Sequence, residues 1–446
     1  MSVLRELAVF VCGASVASLP AAERSTQRRH VADTLVAAVA GNRTSEGRAL
    51  RALFAAPALA DAIGMQAAVI RHTEIDDIHL RSCTTPSSVV VPAALSLARD
   101  LGDFDPEHVA SAMWAGIELM TRFGAAVQGP KILYRGIWPT YLAAPLGAAA
   151  VAARMWRLSE DATAHALSLA LMLAAGRSGR FHGKLPGRSL LLAIAVTAGI
   201  RAAAGAQHGV GGDPDLLDGP MLPGSWLRDA QGLDADLGAM TARLGDGSVY
   251  REMSLKPFCS AKQSIAAIEA LMALIDGGLS ADTITHVRVR VPPPYARMIA
   301  MKAEAGSRSS TLVSVAFQLG LAAERRQRLY DIERSDVTQD AAVQKFAQLV
   351  EVVPDENLLA EFPASWPAEI EVDAGDQIFR RRVTAAAGDP TRPLDDAQLL
   401  AKARRVFAQF GEPAAAGRLV DIGLKGLDDK NSCKQLADAM WDAGVE

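Results

Sequence analysis

The chain has 446 residues, of which 50% are apolar, and a formal net charge of −4. Such a chain is globular and can bury one large core, two domains or, at about 150 residues per domain, three. The 46 basic and 50 acidic residues are spread along the chain. They form no basic stripe for nucleic acid and no polybasic patch for a membrane surface, so neither partner is expected.

The four cysteines lie far apart in the sequence, at Cys12, Cys83, Cys259 and Cys433. They show no Cys-x-x-Cys spacing, so neither a zinc site nor a disulfide framework is predicted. Single histidines elsewhere have no partner at ligand spacing, and no metal site is expected from them. This cysteine usage fits a reducing cytoplasm.

The first apolar run covers residues 7–19 and could be mistaken for a secretion signal. Its only early basic residue is Arg5, and Glu6 interrupts its start, so the run is interpreted as the first helix. The longest later apolar run, residues 143–153, is shorter than the roughly 20 residues that span a bilayer. No transmembrane segment is predicted.

Residues 2–275 are predicted to be nearly all helical, because their apolar residues recur at helical spacing between Gly/Pro turns. Two alanine-rich stretches, residues 147–155 and 164–176, are interpreted as central helices of a bundle. Small side chains on all faces let such helices approach their neighbours closely.

A polar segment, residues 73–92, interrupts this pattern and is the best candidate for an active-site wall. Glu74, Asp76, Asp77 and His79 lie within six positions of each other, which is too acidic for a buried helix face. The alternative is a solvated loop in which Asp76 or Asp77 caps the following helix.

A second polar cluster covers residues 176–188 and places His182, Lys184 and Arg188 in a glycine-rich turn before an apolar helix. Glycines allow close approach of the backbone to a ligand, and a helix start attracts anions. The alternative is a solvated basic loop between two helices.

Two lysines, Lys256 and Lys262, form a third candidate cluster. A partly desolvated lysine can exchange protons near neutrality, whereas a fully charged lysine binds carboxylate, and both roles suit an anionic substrate. From the residues alone, a surface lysine before a core helix is the competing interpretation.

After residue 278 the pattern changes to period two, which predicts strands at 283–291, 368–372 and 377–383. Helical spacing continues at 313–323, 340–352 and 395–409. Together these elements predict a smaller α+β domain. Residues 417–445 are predicted to be helical and to return to the helical domain.

The acidic segment, with its Pro-Ser-Ser and Val-Val-Val-Pro-Ala-Ala-Leu run, resembles the signature of the MmgE/PrpD family. That family includes 2-methylcitrate dehydratase, cis-aconitate decarboxylase and iminodisuccinate epimerase. Further similar blocks follow in the same order along nearly the whole chain, including residues 136–140, 209–219, 256–270 and 388–396. The resemblance implies a large helical domain, an α+β lid with the active site between them, and a homodimer.

The predicted domains are therefore a helical domain at 1–275, completed by 411–446, and a lid at 276–410. In this alignment Lys256 falls on the family's active-site lysine. His182 stands where another family lysine would be, and Lys184 is displaced from it by two positions.

Several positions depart from the family pattern. Thr85, Trp138 and Ile265 replace histidines, and Phe317 replaces a tyrosine of the lid. Losing these titratable groups argues against dehydration of 2-methylcitrate, because eliminating water needs both a base and an acid. The replacements predict a more apolar pocket for a less highly charged substrate.

The leading hypothesis is a cofactor-independent carbon-acid lyase acting on a carboxylate or related carbonyl compound. The alternatives are an epimerase, a biosynthetic cyclase, and a non-catalytic member kept for binding or assembly. The predicted catalytic residues are Asp77, His79, Lys184 and Lys256. The predicted substrate-binding residues are Asp76, Thr85, Trp138, His182, Arg188, Lys262 and Phe317.

Overall fold

The structure is a computed structural model that describes residues 1–53, 58–174, 187–219, 225–334 and 336–443. Its α-helices in these ranges are α1 (Val3–Gly13), α2 (Ala21–Asn42), α3 (Ser45–Leu53), α4 (Leu59–His72), α5 (Ser87–Leu101), α6 (Pro106–Ala126), α7 (Gly129–Leu133), α8 (Pro139–Met155), α9 (Glu160–Met172), α10 (Arg188–Gln207), α11 (Ser225–Gln231), α12 (Leu237–Thr241), α13 (Lys262–Asp276), α14 (Pro293–Ile299), α15 (Arg308–Val313), α16 (Val315–Glu324), α17 (Ala341–Ala347), α18 (Asp396–Ala408), α19 (Ala415–Lys425) and α20 (Lys430–Asp442). The strands are β1 (Asp77–His79), β2 (Met253–Leu255), β3 (Ile284–Val291), β4 (Val350–Pro354), β5 (Ala368–Ala374) and β6 (Gln377–Val383). The predicted fold class, mainly helical with a smaller α+β part, is confirmed.

Helix α8 is the centre of the helical core and packs against α5, α6, α9 and α10. Every α8 residue except Arg154 is buried, which its run of alanines permits because small side chains let helices approach closely. At Gly147 a Cβ atom would lie 2.3 Å from the Met120 side chain of α6. The prediction of a central helix at residues 147–155 agrees with this packing.

Helix α10 packs against α4, α8 and α9. Among the helices of the described ranges, only α10 is long and apolar enough to cross a membrane, with a mean hydropathy of 1.7 over the stretch tested. That stretch is 61% buried inside the structure, so α10 has the surroundings of a core helix.

The α+β part is built on a four-stranded sheet in the order β4-β3-β5-β6. Strand β4 runs parallel to β3, whereas β5 runs antiparallel to both β3 and β6. Helix α13 packs on β5 and β6, and α16 packs on α13 and α17. Strands β3, β5 and β6 agree with the three strands that the period-two pattern predicts.

The predicted helix at residues 340–352 is wrong in its second half. Helix α17 ends at Ala347, and Val350–Pro354 forms β4 beside β3. Three of the five residues of β4 are valines, which favour strands because their branched side chains pack well on a pleated surface.

Two short strands, β1 and β2, occur in the part of the chain that was expected to be nearly all helix. They pair antiparallel, with Asp77 opposite Leu255 and His79 opposite Met253. Since Asp76 precedes β1 and Lys256 follows β2, this pairing brings the acidic segment and the candidate lysine together.

The buried hydrophobic residues form one large helical core, a second core around the sheet, and a third cluster of five residues contributed by α3, α4 and α10. The chain around β1 passes from one to the other, because Ile75 belongs to the helical core and Ile78 to the second core. Packing also crosses both predicted domain boundaries: α13 contributes to the second core and α18 to the helical core. The boundaries themselves remain predictions.

Candidate active site

A cleft lies at the junction of the two cores. Its described walls include the end of α4, the start of α8, the start of α10, and the segment between β2 and α13. The charged side chains that line it are Arg71, Glu74, Arg188, Lys256 and Lys262.

Glu74 is the hub of the charged wall, and three cations contact its carboxylate. Its Oε2 atom lies 2.9 Å from Arg71 Nη1 and 2.8 Å from Lys256 Nζ, and its Oε1 atom lies 2.8 Å from Arg188 Nη2. Burial alone would raise the pKa of Glu74, but Arg71, Lys256 and Arg188 outweigh that effect and hold this pKa well below its usual range. Glu74 is therefore a permanent carboxylate.

Asp76 shares two of these cations but has a different environment. Its Oδ1 atom lies 3.2 Å from Lys256 Nζ and 3.4 Å from Arg71 Nη1. Its Oδ2 atom is buried and has no hydrogen-bond partner among the described residues. Burial raises the pKa of Asp76, and the neighbouring Glu74 and Asp77 carboxylates add to the rise. Two adjacent carboxylates whose environments push their pKa values apart are the arrangement that acid–base catalysis uses.

Three cations therefore face two carboxylates in this cluster. Arg71, Arg188 and Lys256 are each less than 10% exposed, as are Glu74 and Asp76. Among these five side chains there is an excess of one positive charge when Asp76 is ionised and of two when Asp76 is protonated, and the buried Glu46 carboxylate also acts electrostatically on Arg188. A buried excess of positive charge is unfavourable unless an anion binds beside it.

Lys262 lines the same cleft but its charge is already matched. Its Nζ atom contacts the carboxylate of Asp389, which is 1% exposed. Asp389 also accepts hydrogen bonds from Ser254 Oγ at 2.7 Å and from the Ala386 backbone at 3.0 Å. This network fixes both partners of the ion pair in place.

An aromatic and hydroxyl-bearing wall faces the charged one. Trp138 stacks on Tyr141, with ring centroids 5.6 Å apart, and the Arg188 guanidinium lies 5.7 Å from the Trp138 ring centroid. The hydroxyls of Thr85 and Thr140 lie 3.2 Å apart. Thr85, Trp138 and Thr140 all line the cleft, so two of the positions that depart from the family pattern belong to its wall.

Cys83 also lines the cleft. Burial raises the pKa of its thiol to about 12. The thiolate is the nucleophilic form of cysteine, so this side chain stays an inert thiol near neutrality.

The two predicted catalytic residues on β1 are bonded elsewhere. Asp77 Oδ2 lies 2.9 Å from His30 Nδ1, and His79 Nε2 lies 3.3 Å from Glu252 Oε2. The Ser82 backbone amide donates to His79 Nδ1 at 3.2 Å, which assigns the ring proton to Nε2. Within the described residues, neither side chain lines the cleft or pairs with a charged side chain that does, so we do not carry their catalytic roles into the proposed function.

Phe317 was expected in the pocket, but it is 2% exposed and packs in the core around the sheet. Ile265 lies in the same core. Both side chains are buried in this core, and neither is among the described residues that line the cleft. His182 and Lys184 lie outside the described residues.

Sequence reasoning missed Arg71 and treated Glu74 only as part of an acidic segment. The pair is spaced i,i+3 across the end of α4, a spacing that brings side chains together and could have revealed it.

Sequence reasoning also missed a residue that holds the neighbours of the two arginines in place. Glu46 of α3 lies 2.7 Å from His72 Nδ1 and accepts a hydrogen bond from Ser189 Oγ. It therefore ties together the neighbours of Arg71 and Arg188.

A further buried pair supports the turn between Glu74 and Asp76. Lys402 of α18 donates to the Ile75 carbonyl at 2.7 Å and to Asp33 Oδ1 at 2.5 Å. Glu74 adopts a φ of 58°, a left-handed conformation that is uncommon for a residue with a side chain. Lys402 thus anchors this strained turn from a position more than 300 residues later in the chain.

Comparison with known families agrees with the sequence resemblance. Residues 5–234 match the model of the MmgE/PrpD N-terminal domain, and residues 258–424 match that of the MmgE/PrpD C-terminal domain. The chain belongs to the MmgE/PrpD family. No curated protein matches it. MmgE/PrpD family members are generally lyases or isomerases, which agrees with a cleft lined by Glu74 and several cations, two of which also contact Asp76.

The buried histidines of this MmgE/PrpD protein predict that it loses stability in mild acid. Burial lowers the pKa of His72 and of His79 to about 4, against 6.5 for the exposed side chain. Between these values only the unfolded chain takes up the protons. Each histidine then lowers the free energy of unfolding by up to about 1.4 kcal/mol per pH unit as the pH falls.

Urea unfolding at pH 6.0, 5.5 and 5.0 measures this slope. The His79→Gln variant should have a slope that is smaller by up to that amount. The exposed His208→Gln change serves as the matched control and should keep the wild-type slope. Equal slopes for His79→Gln and the wild type would show that His79 is protonated in the folded protein.

Proposed function

We propose that this MmgE/PrpD family member is a cofactor-independent carbon-acid lyase that acts on a small carboxylate or related carbonyl compound. The observation that carries the proposal is that three buried cations, Arg71, Arg188 and Lys256, contact the Glu74 carboxylate beside Asp76, whose pKa is shifted in the opposite direction. The family's lyases and isomerases give the reaction class, and the cleft supplies the groups that such a reaction requires.

In the proposed reaction, Arg71, Arg188 and Lys256 bind the substrate carboxylate. When the proton on the adjacent carbon leaves, its electron pair moves into an enolate-like carboxylate, and the three cations stabilise the added negative charge. Fixed charges in a buried site stabilise such a state more effectively than water does, because they need no reorganisation during the reaction.

The Asp76–Lys256 pair is proposed to move the proton. Asp76 exchanges a proton more readily than Glu74 because its pKa is raised rather than lowered, and Lys256 contacts it at 3.2 Å. In a lyase the ionised Asp76 takes the proton from the carbon, and the pair then delivers that proton to the leaving group as the bond between the leaving group and the adjacent carbon breaks and a carbon–carbon double bond forms. Lys184 and His182 remain proposed contributors from the basic segment.

A second candidate is an epimerase, which requires only a base and its conjugate acid on opposite faces of the carbon. Its support is that Thr85 and Trp138, which do not titrate near neutrality, line the described wall where the family pattern has histidines. In that case the carbon regains a proton on the opposite face and no alkene forms.

Deuterium incorporation from D2O tests the proposal. Citrate-like, succinate-like and β-keto carboxylates are incubated with the wild type, and the α-carbons are followed by NMR. Exchange with an alkene product supports the lyase, and exchange without an alkene supports the epimerase. The absence of exchange in every compound would contradict carbon-acid chemistry and favour a cyclase or a non-catalytic binding role.

We also propose a homodimer located in the cytoplasm. The four cysteines are free thiols, as a reducing compartment favours. Helices α9 and α10 pack together and leave apolar side chains exposed at Met172, Leu173, Leu190 and Ile194. An exposed apolar face of this kind is typical of a protein interface. Light scattering in solution measures the mass, and that of a single 47.0 kDa chain would contradict the dimer.

A further inference from the structure

We infer that Glu46 of α3 is a positioning residue that holds the guanidinium groups of Arg71 and Arg188 at the spacing at which they bind the substrate carboxylate. Glu46 is not among the described residues that line the cleft, so it acts through the residues next to these arginines. This inference rests on the proposed function and deepens it, because it adds a residue behind the cleft on which substrate binding depends.

One carboxylate joins the two helix ends that supply the arginines. Arg71 lies in the last turn of α4, and Arg188 is the first residue of α10. Glu46 Oε2 lies 2.7 Å from Nδ1 of His72, the residue after Arg71. The other oxygen, Oε1, accepts a hydrogen bond from Oγ of Ser189, the residue after Arg188. The same side chain therefore fixes the end of α4 relative to the start of α10.

This bridge is buried and keeps its charge. Glu46, His72 and Ser189 are each at most 5% exposed. Burial alone would raise the pKa of Glu46, but the contacts with His72, Ser189 and Arg188 outweigh that effect and lower this pKa to about 2. Burial lowers the pKa of His72 to about 4, so near neutrality the uncharged ring donates its Nδ1 proton to the carboxylate. A buried carboxylate that leaves these donors loses its solvation, which favours a single geometry of the bridge.

Helix α3 is itself fixed to the helices that it bridges. Leu50 lies one turn after Glu46 and belongs to a buried apolar cluster with residues of α4 and α10. At the start of α3, the Ser45 backbone amide donates to the Glu333 carboxylate at 3.1 Å. The position of Glu46 therefore follows from packing and capping of α3, and the bridge transmits it to both arginines.

The two arginines require such support because they repel each other electrostatically. They contact different oxygens of Glu74, Arg71 at Oε2 and Arg188 at Oε1. A substrate carboxylate beside them competes with Glu74 for both guanidinium groups. The geometry of charge-assisted hydrogen bonds to a carboxylate depends on the placement of the donors, so fixed helix ends keep the pair ready for the substrate.

The Glu46→Gln variant tests this inference. It keeps the size of the side chain but removes the charge and presents an amide donor to the donors of His72 and Ser189. For the compound of the deuterium panel that exchanges fastest with the wild type, KM should rise by at least about tenfold, as expected for weakened charge-assisted hydrogen bonds. The value of kcat should fall by less than about tenfold, because Asp76 and Lys256 keep their contact.

The split between KM and kcat separates positioning from stability. A variant that is partly unfolded has fewer active molecules, so its apparent kcat falls while KM stays the same. Glu333→Gln is the matched control, because Glu333 also supports α3 and, within the described part of the chain, does not contact His72 or Ser189. It should keep the wild-type KM.

Two further changes interrupt one side of the bridge each. Ser189→Ala should raise KM in the same direction as Glu46→Gln, and it replaces that variant as the test if Glu46→Gln does not fold. An asparagine amide can donate from the position of His72 Nδ1. The rise in KM should therefore be smaller for His72→Asn than for His72→Phe.

A folded Glu46→Gln or Ser189→Ala variant with the wild-type KM would overturn this inference and leave the proposed function intact. If no compound of the panel exchanges deuterium, the proposed function fails, and crystal structures of the wild type and of Glu46→Gln decide the inference. Guanidinium groups displaced by about 1 Å or more, a shift large enough to disturb binding geometry, would support the positioning role. Unchanged guanidinium positions would overturn it.

Discussion

Replacing Lys256 by methionine is expected to reduce deuterium exchange by about 10²- to 10⁴-fold, the range typical of a lost general acid–base group. Lys256 contacts both Glu74 and Asp76 and lines the cleft, so the change removes a substrate-binding charge and a proton carrier together. The initial rate of exchange by NMR, measured at saturating substrate, gives the size of the loss.

The same variant should remain folded, because Arg71 still contacts both carboxylates at 2.9 and 3.4 Å. Breaking a buried ion pair typically lowers the free energy of unfolding by roughly 3–5 kcal/mol. The loss in Lys256→Met should be at or below the lower end of this range. Wild-type exchange rates in folded Lys256→Met would exclude Lys256 from the reaction.

Replacing Lys402 by methionine should have the larger effect on stability, about 3–5 kcal/mol. Within the described residues Lys402 is the only cation in hydrogen-bond contact with Asp33, and both side chains are less than 5% exposed. Its removal leaves a buried carboxylate without a counter-ion and releases the Ile75 carbonyl. Urea unfolding of the variant and the wild type at pH 7.5 measures the difference.

The Asp33→Asn/Lys402→Met double variant is the control for that result. A neutral amide costs less to bury than an unpaired carboxylate, so the double variant should recover much of the lost stability. A double variant as unstable as Lys402→Met would show that the Ile75 contact, rather than the unpaired charge of Asp33, carries the effect.

Comparing Lys256→Met with Lys402→Met separates a role in the reaction from a role in stabilising the fold. Both are buried and both contact an aspartate, yet only Lys256 lines the cleft. We therefore expect Lys256→Met to be the more damaging change for exchange and Lys402→Met the more damaging change for folding.

Much of the fold could be predicted from periodicity. Strands β3 and β5 largely alternate between buried and partly exposed positions, and that pattern is legible in one sequence, whereas β6 is exposed along most of its length. Strand β4 was missed because Val350–Pro354 is a short apolar run directly after a helix, and periodicity cannot distinguish a strand from a helix over so few residues. Strand β1 has only three residues and shows no pattern at all.

The candidate site was predicted in part. The acidic segment stood out because so many charged residues are unusual between apolar helices, whereas Lys256 was singled out by its resemblance to the family's active-site lysine. The sequence could not show which of Asp76 and Asp77 faces Lys256. Neighbouring residues in an extended chain point to opposite sides, and nothing in the sequence shows which side faces the cleft. In the structure Asp76 contacts Lys256 whereas Asp77 contacts His30.

The residues that hold the site in place from distant parts of the chain could not be predicted from local patterns. Glu46 and Lys402 act through contacts with His72 and the Ile75 carbonyl, and no short motif links such distant positions. Only the packing of α3 and α18 on the helical core brings them to the site. Arg71 was within reach, since its i,i+3 pair with Glu74 is local.

The most direct test of the central claim is a crystal structure of the wild type with the carboxylate that gains deuterium. The account predicts that the bound carboxylate lies within about 4 Å of Lys256 Nζ and of the Arg71 or Arg188 guanidinium, the separation of an ion pair. A carboxylate bound to Lys262 in place of Asp389, or a ligand bound outside the cleft, would contradict the account.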